Sequence, residues 1–151
     1  MAEAETSVLP TLVLGFDFGT RTIGVASAQS VTGLGSPLTP LKARDGIPDW
    51  VQIDRLVAEW RPQALIVGNP LNMDDSDSEI GHLALKFARR LAARYPALPV
   101  FRQDERLSTR EARATLAEVR DYRRGRTPSL DSTAACLIVA DWYAAPNYLR
   151  V

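Results

Sequence analysis

The chain has 151 residues, 46% of them apolar and 24% charged. That composition supports one buried core, leaves little room for two, and argues against a disordered or low-complexity protein. Formal net charge is zero, from 18 basic and 18 acidic residues, so the total by itself gives no sign of a nucleic-acid partner.

The total hides a segregation. Residues 1–85 hold five Lys/Arg against eleven Asp/Glu, whereas residues 86–126 hold twelve against five. Such asymmetry points to a polyanionic partner. A general preference for Arg over Lys (16 against 2) is the competing reading, and it stays open at this point. No apolar run approaches the roughly 20 residues that span a membrane. The start, Met1–Thr6, carries Glu3 and Glu5 and no basic cluster, unlike a signal peptide. A cytoplasmic protein without a membrane partner is expected. The lone Cys136 sits in an apolar stretch, excludes an internal disulfide and is expected in the core.

Residues 1–10 read as a frayed tail. Leu12–Phe16 is a short apolar strand ending at Asp17-Phe18-Gly19. Ile23–Ala28 is a second, and the polar turn Gly19–Thr22 makes the pair a hairpin. A third strand falls around Leu34–Leu41, where Pro37 and Pro40 suit an edge. A helix starts near Asp45 or Pro48, with Val51, Ile53, Leu56, Val57 and Trp60 near helical spacing, and Pro62 ends it. Ala64–Val67 is a compact strand, followed by a polar loop over Asn69–Ser78. Ser78–Tyr95 predicts an amphipathic helix with Ile80, Leu83, Leu85, Phe87 and Leu91 on its apolar side. Val100–Gln103 is a strand closed by Asp104-Glu105-Arg106. A further helix covers Thr109–Val119, then a basic loop runs over Arg120–Ser129, and a last helix spans Asp131–Tyr143.

Three strands, then alternating helix and strand, then two helices imply an α/β protein: a mixed five-stranded sheet flanked by helices, in one domain over residues 1–151. This is the order of the ribonuclease-H-like fold.

Three carboxylates stand out by position. Asp17 ends the first strand, Glu105 the last, and Asp131 begins the final helix. Sites in α/β sheets gather at strand ends and helix starts. Acids converging there bind hard divalent cations through oxygen. Two such metals about 4 Å apart clamp the attacking and leaving oxygens of a phosphodiester, and one of them supplies the nucleophile from water. Each acid also has a plainer reading: Asp17 as a turn former, Glu105 as a surface partner of Arg102 or Arg106, Asp131 as an N-cap. Asp74, Asp75, Asp77 and Glu79 suit a solvated helix start. His82 is the only histidine, so zinc centres and His-dependent triads are excluded. Arg21 follows Asp17. Arg106, Arg110 and Arg113 follow Glu105, and Arg120, Arg123, Arg124 and Arg126 precede Asp131. Arginine's planar fork suits phosphate, so these are the candidate substrate-binding residues.

Four stretches, taken together, are similar to the YqgF/RuvX family of small ribonuclease-H-like proteins. They are Gly15-Phe16-Asp17-Phe18-Gly19 with Arg21 and Ile23–Ala26; Val67–Met73; Asp104–Thr109; and Asp131-Ser132 with Ala134-Ala135. The resemblance implies a nuclease dependent on Mg²⁺ or Mn²⁺, with Asp17, Glu105 and Asp131 as the acidic set. It also implies maturation of the 5′ end of the small-subunit ribosomal RNA precursor, with structured RNA and precursor particles as partners and a monomer or weak homodimer as the working form. Asn69 and Asp75 depart from the family pattern, which touches substrate choice. Ala134 stands where related junction resolvases carry a further acid one helical turn from Asp131.

Three other functions stay open at this stage. Resolution of branched DNA would need a symmetric dimer. An actin-like or sugar-kinase ATPase would suit Asp17–Thr20 as a phosphate loop, but needs two such domains. A non-catalytic ribosome-assembly factor would keep the fold without the activity.

Overall fold

A computed structural model describes residues 9–69, 79–104, 130–146 and 150–151. The expected helix at Thr109–Val119, the basic loop Arg120–Ser129, residues 70–78 and the first eight residues lie outside these.

The apolar run ending at Asp17 forms β1 (Leu12–Asp17), and β2 (Thr22–Gln29) returns antiparallel to it, with Asp17 opposite Gly24. Next, β3 (Gly35–Arg44) pairs antiparallel with β2. Its register slips between Ile23 and Val25, where Thr39 and Pro40 intervene between the paired Leu38 and Leu41. Proline has no N–H to give the ladder, which accounts for a bulge there.

The five-stranded expectation is corrected by one short strand. Ile47–Pro48 form β4, paired with Ala43 and Arg44 on the outer side of β3. The sequence pattern places these residues at the start of a helix. Asp45 and Gly46 both take positive φ, 53° and 81°, the geometry of a two-residue hairpin turn that Asp-Gly favours. The helix α1 therefore starts later (Trp50–Trp60), capped by the Asp49 carboxylate, which accepts from the Val51 N–H at 3.0 Å. Arg61 in the left-handed region closes it ahead of Pro62.

Two parallel strands, β5 (Ala64–Asn69) and β6 (Val100–Asp104), complete the sheet, and α2 (Glu79–Arg94) crosses between them. Strand order is β4-β3-β2-β1-β5-β6 among the described residues. The last helix, α3, runs over Leu130–Ala144. Past it, Arg150 bridges to Phe101 on the outer side of β6.

Period-two alternation sorts the strands onto two faces. Leu14, Phe16, Ile23, Val25, Leu65, Val67 and Val100 face α1 and α2, where they meet Ile53, Ala84, Phe87, Ala88 and Leu91. On α2 the small Ala84 and Ala88 make the core contact expected of Leu85, which is only half-buried. Val13, Ala26, Ala28, Ala64, Ile66 and Phe101 face α3, whose Ala135, Ile138, Val139 and Trp142 are buried on them. Cys136, expected in the core, is half-buried beside this second cluster and forms no disulfide. Leu9 packs there too, and the Pro10 carbonyl accepts from Tyr143 Oη at 2.8 Å, so these two residues of the expected tail are held in place.

A polar clamp joins α1 to α2 on the surface. The Asp54 carboxylate accepts two bonds from Arg94, from Nε at 2.9 Å and Nη2 at 2.6 Å, and another from the Tyr95 hydroxyl. Arg94 also lies over the Trp50 ring, 5.3 Å from its centroid. The Arg94 hydrogen bonds, then that of Tyr95, bring the Asp54 carboxyl from its ordinary 3.8 down to about 2. An acid whose pKa falls on folding stabilises the fold above its unfolded value and loses that contribution as pH falls toward the folded one. Wild type should therefore have a higher urea midpoint than Asp54→Asn at pH 7, and the gap should close between pH 3.8 and about 2. A gap that persists unchanged at pH 2 would mean the carboxylate charge is not what holds the helices together.

Candidate active site

β1 runs parallel to β5, and β5 to β6, while β3 lies two antiparallel steps from β1 and so shares its direction. The C-terminal ends of all four therefore lie along one edge of the sheet. Asp17 stands on that edge, half-buried, at the end of β1. Alternation puts it on the face of Val13 and Gly15, the face that α3 covers.

The course of α3 follows from three contacts. Near its start, the buried Ser132 hydroxyl donates to the Leu38 carbonyl at 2.6 Å and accepts from the Val25 N–H at 3.4 Å. Val25 pairs with Phe16, the residue before Asp17. In mid-helix, Val139 lies so close to Gly15 that a Cβ there would sit 2.2 Å from Val139 Cγ1. At its far end, Tyr143 reaches Pro10, ahead of β1. The helix thus runs antiparallel to β1, and its first turn, which contains Asp131, opens beside the Asp17 edge.

Glycine permits this close seating. A Cβ on Gly35 in β3 would meet the Cys136 backbone at 2.7 and 2.8 Å, which a side chain could enter only by pushing the helix off the sheet.

Two of the three sequence-predicted acids thus come from elements whose ends converge. The third, Glu105, directly follows Asp104, the last residue of β6, but lies outside the described residues. β6 is two strands from β1, about 10 Å across the sheet. Among the described residues no group of three His, Cys, Asp or Glu side chains is placed to hold a metal. The donor chemistry of Asp17, Glu105 and Asp131 still fits hard cations such as Mg²⁺ or Mn²⁺, because all are carboxylate oxygens. Arg21 is exposed in the turn just after Asp17, where its carbonyl accepts from the Ala43 N–H at 2.8 Å. Arg106, Arg110, Arg113, Arg120, Arg123, Arg124 and Arg126 fall outside the described residues. His82 is exposed on α2.

Ser132, read from the sequence only as part of a motif, and Arg102, read only as a surface partner of Glu105, take different places in the structure. Ser132 ties the start of α3 to the bulge of β2 and β3, through partners 94 and 107 residues away. Nothing local in the sequence signals that. Arg102 on β6 has a buried Nε with no hydrogen-bond partner among the described residues, near the strand's C-terminal end.

The mixed sheet with helices on both faces defines the class, the ribonuclease-H-like fold of the junction resolvases. The structure of Thermus thermophilus RuvC in complex with a Holliday junction substrate superposes with a TM-score of 0.59 at 17% identity, over 93% of this chain and 99% of that one. The yeast mitochondrial Holliday junction resolvase gives 0.50 at 11% identity, over 92% and 80%. Residues 11–145 match the family described as RuvX: Holliday junction resolvase, and the chain belongs to that family. A relative from Azotobacter vinelandii is 49% identical over 136 residues, 89% of this chain and 94% of its own length. One from Proteus mirabilis is 48% identical over 131 residues, 87% and 94%. Both carry the name "Putative pre-16S rRNA nuclease". No helix among the described residues is long and apolar enough to cross a membrane.

Proposed function

We propose that this chain is a divalent-metal-dependent nuclease that hydrolyses phosphodiester bonds in the 5′ segment of the small-subunit ribosomal RNA precursor. The observation that carries the reading is the convergence of Asp17 and the first turn of α3, bearing Asp131, at the C-terminal edge of the sheet, in a chain whose relatives bear that name.

Asp17, Asp131 and Glu105 are the residues that would hold Mg²⁺ or Mn²⁺. When bound, the metal would lower the pKa of a water and stabilise the departing oxygen. The chain's own groups do the rest. Asp17 ends a strand held by the β1–β2 ladder, and the turn of α3 that contains Asp131 is tied to the sheet by the Ser132 bridge. Arg21, with Arg106, Arg110, Arg123, Arg124 and Arg126, would bind phosphate and orient the strand. The protein would act in the cytoplasm, where ribosomal precursor particles assemble.

Labelled precursor RNA spanning the 5′ junction, an unrelated duplex RNA and a four-way DNA junction discriminate the readings. With Mn²⁺ or Mg²⁺ the precursor should be cut and the others left largely intact, and chelator should stop the cleavage. Preferential cutting of the DNA junction would replace this reading with junction resolution. No cutting of any substrate would leave a ribosome-assembly factor.

A further inference from the structure

The candidate site accounts for the arginines that follow Glu105 and precede Asp131, but not for the basic residues of α2. Lys86, Arg89 and Arg90 are all exposed on that helix. At 100° per residue they fall within an arc of about 100°. Lys86 and Arg90 are stacked one turn apart, about 6 Å along the axis. Among the described residues no carboxylate pairs with any of the three, whereas Arg94, one turn further on, is held by Asp54. Charges left unneutralised on one helical face set up a local field that attracts a polyanion.

The ridge leads to the candidate site. α2 follows β5, so it starts at the C-terminal edge of the sheet and runs away from it. Lys86 and Arg90 line a cleft with Asp45, Gly46, Ile47 and Pro48 of the β3–β4 turn. That turn is tied to the loop after Asp17 by a bond from the Gly46 N–H to the Thr20 carbonyl, 2.9 Å. A strand lying along α2 toward its N-terminus would reach the same edge of the sheet, and would have to turn over that edge, past Arg21, to meet Asp17 on the α3 face.

We propose that the Lys86–Arg89–Arg90 ridge of α2 is a docking track for the sugar–phosphate backbone of an RNA strand whose scissile segment lies at Asp17. The proposal rests on the nuclease reading and adds to it a second contact surface, remote from the reacting atoms. The chemistry is that of phosphate contact without base reading. The neighbouring Trp50 is already engaged, stacked on Phe87 and covered by Arg94, so it offers no open platform for a base. A protein partner would want an apolar centre with aromatic anchors. The ridge itself has none.

Fluorescence anisotropy with a labelled precursor RNA, in chelator so that nothing is cut, tests the track as salt is raised. Each single-stranded phosphate contact contributes about 0.7 to the slope of log affinity against log salt. The triple variant Lys86→Ala/Arg89→Ala/Arg90→Ala should therefore lose about two from the slope and bind at least tenfold more weakly at about 0.1 M salt. The charge-preserving variant Lys86→Arg/Arg89→Lys/Arg90→Lys should bind as wild type does. Turnover of an oligonucleotide too short to reach α2 should be unaltered in both. A wild type that binds with a steep slope, beside an alanine variant of equal slope and native melting curve, overturns the track and leaves the nuclease reading standing. That result would assign the ridge to an acidic protein or to solvent. A wild type that binds no RNA overturns both.

Discussion

Asp17→Asn should reduce cleavage by more than about a hundredfold, since loss of an outer-shell partner of a metal ligand alone costs 10–100-fold. The substitution keeps the size and shape of the side chain, and the backbone pairing of Asp17 with Gly24 does not depend on the carboxylate. What changes is the charge at the end of β1, where a carboxylate would complete the shell of a hard cation. The variant should keep the wild-type melting curve. RNA affinity in chelator should also stay within about twofold, because phosphate binding belongs to the basic groups. Turnover equal to wild type would reduce Asp17 to a turn former.

The second large effect is on stability. Trp142 is fully buried on α3 and stacks on Phe101 of β6, centroids 5.6 Å apart at 22°, with Tyr143 against its edge at 5.4 Å. Its replacement by alanine removes the largest side chain of the α3 face and leaves a cavity that the close-seated helix cannot collapse to fill. Trp142→Ala should cost about 3–5 kcal/mol, a large part of the 5–15 kcal/mol that a domain of this size typically has. Calorimetry should show a melting temperature lowered by roughly 10 °C. A shift of only one or two degrees would mean that α3 is not packed against β6 as described. The position of Asp131 depends on the same packing, so this core bears on the site as well as on the fold.

Much of the site's frame was legible in the chain. The apolar run that stops at Asp17 marks the end of a strand, since a carboxylate is costly to take out of water. Pro37 and Pro40 pointed to an edge or irregular strand; β3 is irregular, with its bulge at Thr39–Pro40, but β4 pairs outside Ala43 and Arg44 and takes the edge. The two-residue β4 has no period to detect, and Pro48 resembles a helix start, so only Asp45-Gly46 signals the turn before it. Leu85 lies off the phase of the buried face, where Ala84 and Ala88 sit between Phe87 and Leu91 against Phe16 and Val67. The bridge from Ser132 to Val25 and Leu38 depends on a bulge 94 to 107 residues away in the chain, which no local pattern encodes. The basic ridge of α2 was visible as composition, but its lack of carboxylate partners among the described residues is a tertiary fact.

The most direct test of the account is a calorimetric titration of the purified protein with Mn²⁺ beside Asp17→Asn, Glu105→Gln and Asp131→Asn. Wild type should bind the ion, and each variant should lose at least tenfold in affinity while still melting cooperatively. Binding equally tight in all four proteins would place the metal elsewhere and contradict a centre built from these three acids.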